Sequence, residues 1–186
     1  MKISKFKIGI LFFILPILLI GTISLAINNT QETMQEENIQ KENKAHIIED
    51  NKEDNKEDLS SDEQEVLNLI NDYRKQNGLE NLEIYSKLQE TAEIKAKDIV
   101  ENEYFSHNSP DLGTPFELMD KTGVCYQIAG ENLAGNISPK KAVEAWINSK
   151  DHRDNILDER FTYTGISVVD SPIYGKVFVQ MFIGLD

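Results

Sequence analysis

The hydrophobic pattern divides the chain into three parts. Residues 8–27 contain no charged side chain, whereas residues 28–59 contain few large apolar side chains. From residue 60 to residue 186, apolar residues recur at helical spacing and, near the end, at strand spacing. This pattern predicts an N-terminal apolar segment over 1–27, a solvated tether over 28–59 and one folded domain over 60–186.

Four helix-start signals lie within the predicted domain. Each pairs a serine or threonine with a downstream glutamate or glutamine, or with a proline at the first helical position. They are Ser60–Glu63, Ser86–Gln89, Thr114–Glu117 and Ser138–Pro139. The first helix is expected to end at Gly78, and the last is expected to bury Trp146.

The end of the domain changes from helical to alternating spacing. Apolar residues recur there at every second position, and Ser171–Gly175 between the two runs has the composition of a turn; the alternating residues are Ile166, Val168, Val177, Val179, Met181 and Ile183. This predicts a terminal β-hairpin with one half-buried face. The segment 129–135 is flanked by glycines and is predicted to be irregular. Helices followed by paired strands indicate an α+β fold with an antiparallel sheet.

The apolar segment over 1–27 has the features of an export signal. Three lysines precede the run, and Ser24 and Ala26 are small residues at the positions that a signal peptidase reads. A run of about 20 apolar residues is also long enough to cross a bilayer. Two alternatives remain, a cleaved signal peptide, which is favoured, and an uncleaved transmembrane anchor. Both predict a domain outside the cell, either secreted or held on the outer face of the plasma membrane.

Charge narrows the classes of partner. The tether carries ten acidic and four basic residues, so it is expected to be disordered, with a solvated helix as the alternative for part of it. The domain carries 12 basic and 22 acidic residues. This balance argues against nucleic acid and against anionic membranes, so any membrane contact is assigned to the N-terminal segment. The single cysteine, Cys125, excludes an intramolecular disulfide framework.

Two histidines stand out as candidates for chemistry. His46 lies in the charged tether, which leaves His107 and His152 in the domain. Together with Glu117 and Glu131 they supply imidazoles and carboxylates suited to a divalent metal or to acid–base chemistry. Their spacing matches no compact metal motif, so only a fold can bring them together.

Each of these four residues also has a purely structural interpretation. Glu117 occupies the carboxylate position of a capping box, which is the interpretation the local pattern favours. Glu131 can accept hydrogen bonds from loop amides, and His107 can stabilise a turn. His152 can cap the carbonyl end of the Trp146 helix as a cation.

A resemblance to a known family changes the weight of these alternatives. The chain is similar to the CAP superfamily, which includes cysteine-rich secretory proteins, antigen-five allergens and pathogenesis-related proteins of class one, and most of all to its short, secreted bacterial branch. The resemblance covers residues 60–186. It is carried in one order by YFSHNSPD at 104–111, TPFE at 114–117, AGENLA at 129–134, AVEAWINS at 142–149, HRDNIL at 152–157 and FTYTGI at 161–166.

The resemblance implies an α-β-α sandwich with a large cleft. In the family, two histidines and two acidic residues line the cleft and in several members bind a divalent ion, often zinc. Carried over by motif, the metal ligands are His107, Glu117, Glu131 and His152. The family's disulfides are absent here, as expected for the bacterial branch.

Two functions from different classes follow from the resemblance. The favoured one is a monomeric binding module whose cleft takes a divalent metal and a small hydrophobic, peptide or cell-envelope ligand. The alternative is a zinc-dependent, peptidase-like hydrolase in which Glu131 activates water. A cysteine nucleophile at Cys125, or a serine nucleophile at Ser106 or Ser109, has no support in the local sequence.

Overall fold

The computed structural model describes residues 59–185 and eight positions between 34 and 45. These eight positions are helical and exposed, in keeping with the solvated-helix alternative there. The predicted export segment over 1–27 and His46 lie outside the described residues, and the boundary near residue 59 stays a prediction. In the part of the chain that is described, no helix is both long and apolar enough to cross a membrane.

Residues 59–185 form five helices around a four-stranded sheet. The helices are α1 (Ser61–Gln76), α2 (Ser86–Glu101), α3 (Pro115–Lys121), α4 (Pro139–Asn148) and α5 (Lys150–Leu157). The strands are β1 (Glu83–Ile84), β2 (Ile128–Asn136), β3 (Tyr163–Ser171) and β4 (Gly175–Gly184), in the spatial order β1-β3-β4-β2. β4 pairs antiparallel with both neighbours, which confirms the terminal hairpin, whereas the short β1 runs parallel to β3.

Helices cover both faces of this sheet. On one face of β4, Val179 and Met181 pack with Leu88 of α2 and Met119 of α3. On the other face, the aromatic rings of β4 pack with α1, α4 and α5; the buried residues there include Val66, Ile70, Trp146, Ile156, Phe178 and Phe182. The predicted sandwich is therefore confirmed, but the half-buried hairpin face is wrong, because β4 is an interior strand covered by helices on both sides.

The segment predicted to be irregular is the edge strand β2. It pairs with β4 without interruption from Ile128 to Asn136. Its glycines mark close packing: a Cβ on Gly130 would lie 3.1 Å from the Phe161 ring, and one on Gly135 would lie 3.0 Å from Tyr174. The glycines that suggested a loop thus make room for aromatic neighbours.

The predicted helix-start signals are correct at three helices and wrong at the fourth, because Ser60, Thr114 and Ser138 are the N-caps of α1, α3 and α4. Ser60 and Glu63 form the predicted reciprocal capping box of α1, which ends at Gln76 with Asn77 as its C-cap, and Gly78 follows at φ 79°. The second predicted box is wrong, since Tyr85 is the N-cap of α2. Instead, the Gln89 amide bonds both backbone groups of Ile166 on β3, accepting from its N–H at 2.8 Å.

Candidate functional site

His107 and Glu131 meet at one face of the sheet. His107 lies in the loop after α2, and Glu131 lies in β2. The His107 Nδ1 and Glu131 Oε1 atoms are 2.6 Å apart. The Glu131 side chain is 2% exposed and that of His107 is 53% exposed. The carboxylate therefore orients a ring that solvent still reaches, and the other ring nitrogen, Nε2, is free of this bond.

A buried lysine anchors the loop that carries His107. Lys95 of α2 is 1% exposed, and its ammonium group donates to the backbone carbonyls of Ser106 at 3.1 Å and His107 at 2.8 Å. It also donates to the Tyr104 hydroxyl at 2.9 Å, which in turn donates to the Asp98 carboxylate. Sequence reasoning missed Lys95. Its signal was a charged residue on the apolar face of α2, one turn after Ala92.

Burial and hydrogen bonding perturb both partners of the His107–Glu131 pair. Burial raises the pKa of Glu131 above its usual value, opposed by the hydrogen bond to His107 and by the charge of Lys95. The hydrogen bond to Glu131 raises the pKa of His107. The second carboxylate oxygen, Glu131 Oε2, is buried and has no hydrogen-bond partner within the described residues. A buried acceptor without a partner is costly, so this oxygen is a strong candidate to meet a ligand.

His152 lies in the first turn of α5. Burial lowers its pKa, and the charge of His107 lowers it further. The alternative in which His152 caps the Trp146 helix is wrong, because Ser149 ends that helix and begins α5. The cation at that carbonyl end is Arg153, which donates to the Ile147 carbonyl at 2.7 Å.

Two asparagine side chains join the strand of Glu131 to the helix of His152. Asn132 of β2 is fully buried and donates to the His152 carbonyl at 3.1 Å. Asn155 of α5 donates to Asn132 Oδ1 at 2.9 Å and to the Glu131 carbonyl at 3.4 Å. Sequence reasoning assigned these residues no role, although each lies within three positions of a predicted site residue.

Glu117 is engaged elsewhere. Its Oε2 accepts from the Thr114 backbone N–H at 2.7 Å, while the Glu117 N–H donates to the Thr114 hydroxyl at 3.2 Å. The capping box is thus confirmed, and the bonds that the Thr114 N–H and hydroxyl donate to the carboxylate lower the pKa of Glu117. No hydrogen bond or ion pair between described residues joins Glu117 to His107, Glu131 or His152. Its role as a metal ligand stays a prediction.

The nucleophile alternatives gain no support from the loop geometry. The Ser106 hydroxyl accepts from the Asn108 N–H, and the Ser109 hydroxyl accepts from two amides of its own turn. Cys125 is half-buried, and no described contact joins it to either histidine. The Ser106 hydroxyl stabilises a turn, and the Ser109 hydroxyl also hydrogen-bonds the Asp98 carboxylate and Tyr104; no described hydrogen bond joins either hydroxyl to His107 or His152.

The candidate metal ligands are the imidazoles of His107 and His152 and the carboxylate of Glu131. Within the described residues, no three His, Cys, Asp or Glu side chains are grouped so that they hold a metal ion together. Two imidazoles and a buried carboxylate with an unpartnered oxygen nevertheless match zinc in ligand type. The Glu131 carboxylate is also hydrogen-bonded to Nδ1 of His107. A carboxylate in this position commonly orients a metal-binding imidazole ring.

Comparison with known proteins identifies the family. A model of the cysteine-rich secretory protein family, CAP, matches residues 67–182, which is more than half of the chain. The chain belongs to this family. The match contains all four predicted site residues together with Lys95, Asn132 and Asn155.

Bacterial CAP proteins are among its relatives. The uncharacterized protein YkwD of Bacillus subtilis is 41% identical over 127 residues, covering 68% of this chain and 48% of its own. The chain thus spans about half the length of that relative. Among solved structures, an extracellular protein containing an SCP domain from Bacillus anthracis is 32% identical, with a TM-score of 0.62, over 69% of this chain and 45% of that one. An outer surface protein of Borrelia burgdorferi is 25% identical, with a TM-score of 0.63, over 68% and 95% of the two chains.

Proposed function

We propose that this CAP domain is an extracellular binding module whose site at His107, Glu131 and His152 takes a divalent ion, zinc by preference. The observation that carries the proposal is the Glu131 carboxylate: one oxygen orients His107, and the other is buried without a partner among the described residues. Relatives described as extracellular and as an outer surface protein support the location.

The two imidazoles are the proposed ligands, and Glu131 is the partner that orients the His107 ring. Bound zinc would supply a Lewis acid that polarises a ligand carbonyl or a coordinated water. Since two imidazoles are fewer than the three protein ligands usual at catalytic zinc, the ion is expected to bind weakly and to exchange.

The ligand is proposed to be an extracellular lipid, peptide or cell-envelope component with an apolar part. Phe105, two residues before His107, is 41% exposed, and its ring lies 4.9 Å from that of Tyr174. Tyr174 in turn covers Gly135 of β2, the strand that carries Glu131. An exposed and a half-buried aromatic ring beside polar side chains suit a molecule with both characters.

Zinc-dependent thermal stability tests the proposal. Zinc at 100 times its dissociation constant should stabilise the protein by about 2.7 kcal/mol, because it binds only the folded state. This corresponds to a rise in melting temperature on the order of 10 °C for a domain of this size. The rise should fade as the pH falls, beginning at the raised pKa of His107, because protonated imidazoles do not coordinate.

Histidine variants separate a shared ion from independent effects. His107→Ala and His152→Ala should each remove most of the zinc-dependent rise, and the double variant should add little, since residues on one ion act as a unit. His46→Ala, in the predicted tether, is the matched control and should keep the full rise. If each site histidine removed an independent half, the two rings would not share an ion.

A hydrolase is the second candidate, favoured by the same carboxylate. A carboxylate with a raised pKa in a buried site beside a histidine is a recognised feature of general bases. In this case Glu131 would accept a proton from water during attack on a peptide or ester. Metal-dependent turnover by the wild-type protein in peptide, ester and glycan panels would support this candidate over the binding module.

A further inference from the structure

The orientations of the two site histidines are secured in different ways. The His107 ring is hydrogen-bonded to Glu131, whereas no hydrogen bond to the His152 ring is present among the described residues. The direction of the His152 side chain therefore depends on where the backbone of α5 lies relative to β2. The contacts that fix this distance determine whether the two rings face one site.

The two asparagines are the side-chain bridge between these elements near the site. Asn132 donates to the carbonyl of His152 itself, and Asn155 donates to the carbonyl of Glu131 itself. The amides also bond each other, at 2.9 Å. The bridge is thus reciprocal: each element contributes one asparagine, and each asparagine bonds the backbone of the site residue on the other element.

Burial gives this bridge rigidity. Asn132 is fully buried. Because successive side chains of a strand point to opposite faces of the sheet, the Asn132 side chain lies on the face opposite to that of Glu131. Directly opposite it on β4 stands Gln180, also fully buried. Breaking a buried amide pair leaves its partners without hydrogen bonds, so the arrangement has few alternatives of similar energy.

We infer that Asn132 and Asn155 are positioning residues of the site, which hold α5, and with it His152, at a fixed distance from the strand that carries Glu131. Neither amide is a proposed ligand, and both act through the backbone of a site residue. This inference deepens the proposed function and rests on it only for the zinc measurement described below.

Asn155→Ala is the perturbation that tests the inference. Asn155 is only half-buried, so its removal breaks both bonds from α5 with little loss of packing. Should that variant fail to fold, Asn155→Ser keeps a polar group at this position but is too short to bridge to Asn132. Thr164→Val is the matched control: it removes a buried 2.8 Å bond to the Met181 carbonyl and the 3.3 Å bond that Thr164 accepts from Gln180, and no described hydrogen bond joins Thr164 itself to β2 or α5.

The first measurement needs no metal. Imidazole resonances of the metal-free protein are recorded by nuclear magnetic resonance and assigned through His107→Ala and His152→Ala. In Asn155→Ala, the His152 resonances should shift and broaden while those of His107 stay in place. Thr164→Val should leave both rings unchanged, because a loss of stability alone does not reorient one ring.

The second measurement is zinc affinity well below the melting temperature. Asn155→Ala should weaken zinc binding by about tenfold, as loss of an outer-shell partner commonly does. In the His152→Ala background the same change should alter the remaining affinity by less than about twofold, because the ligand it positions is gone. Thr164→Val should bind zinc like the wild type.

The outcomes separate the two proposals. Unchanged His152 resonances in Asn155→Ala would overturn the positioning role, whatever zinc does. Equal weakening with and without His152 would overturn it as well. If the wild-type protein binds no zinc but the His152 resonances respond as expected, the positioning role stands and the proposed metal function fails.

Discussion

Removal of the Trp146 side chain is expected to take away much of the stability of this domain. The indole is 1% exposed and packs with Phe178 and Phe182 on one face of the sheet. Its Nε1 donates to the Leu133 carbonyl of β2 at 2.9 Å. Trp146→Ala therefore loses both a large buried surface and a buried hydrogen bond.

The magnitude follows from these two losses. Truncating a buried tryptophan costs about 3–5 kcal/mol. Leaving the Leu133 carbonyl without its donor adds about 1 kcal/mol. Because single domains are stable by about 5–15 kcal/mol, Trp146→Ala is expected to leave a marginally folded protein.

A second variant separates packing from hydrogen bonding. Trp146→Phe keeps an aromatic ring but removes the N–H group, so it should cost less than Trp146→Ala by about 2 kcal/mol or more. Phe116→Ala is the surface control, since Phe116 is 47% exposed, and it should change stability by no more than about 0.5 kcal/mol.

Denaturant unfolding followed by far-ultraviolet circular dichroism measures these differences. Intrinsic fluorescence is unsuitable because Trp146 is the single tryptophan of the chain. An unfolding free energy for Trp146→Ala within about 1 kcal/mol of the wild type would refute the buried position of Trp146, since truncation of a buried tryptophan lowers stability by more than this.

Three further predictions concern charge, chemistry and domain organisation. Because the pKa of His107 is raised in the folded state, its protonation stabilises the fold fully below about pH 6.5, and this stabilisation is lost as the pH rises through the folded-state pKa. Because the pKa of His152 is lowered, this residue destabilises the fold in acid, and the destabilisation disappears as the pH rises toward about 6.5. Unfolding free energies from about pH 5 to pH 9 should therefore show His107→Ala and His152→Ala changing the pH dependence with opposite signs. If the domain is a hydrolase, Glu131→Gln should abolish turnover but keep zinc binding, as measured by steady-state rates and calorimetry, and an active Glu131→Gln variant would exclude this carboxylate as the base. Limited proteolysis should cut within residues 28–59 and leave a stable core, and uniform resistance across that tract would contradict the predicted boundary.

Signals that act within one turn of chain were sufficient for parts of this fold. The capping boxes at Ser60 and Thr114 involve residues three positions apart, so the sequence alone contains the whole interaction. The Ser86–Gln89 pattern looks the same locally but fails, because Gln89 bonds Ile166, which lies 77 positions away. Nothing in a short window distinguishes these two outcomes.

The site was predictable as a set of residues but less so as an arrangement. The motifs named His107, Glu131 and His152, and the structure joins the first two by a hydrogen bond, whereas the place of His152 in one site with them stays a prediction. They did not indicate that Lys95 is buried beside Glu131, because a lysine on a helix usually faces water. Nor did they indicate that Asn132 and Asn155 are hydrogen-bonded to each other. That contact depends on the packing of α5 against β2, and the glycines of β2 led to the prediction of an irregular segment there.

The outermost position of β2 also bears on how this protein behaves at high concentration. An edge strand with free backbone carbonyls is a template for pairing with another chain. Glu131 and Leu133 are two residues apart, so their carbonyls point to the same side of the strand. Both carbonyls already accept hydrogen bonds, from Asn155 and Trp146 respectively. The Trp146 and Asn155 side chains thereby also protect this edge of the sheet from pairing with another chain. Variants that lose either side chain should polymerise more readily than their loss of stability alone would explain.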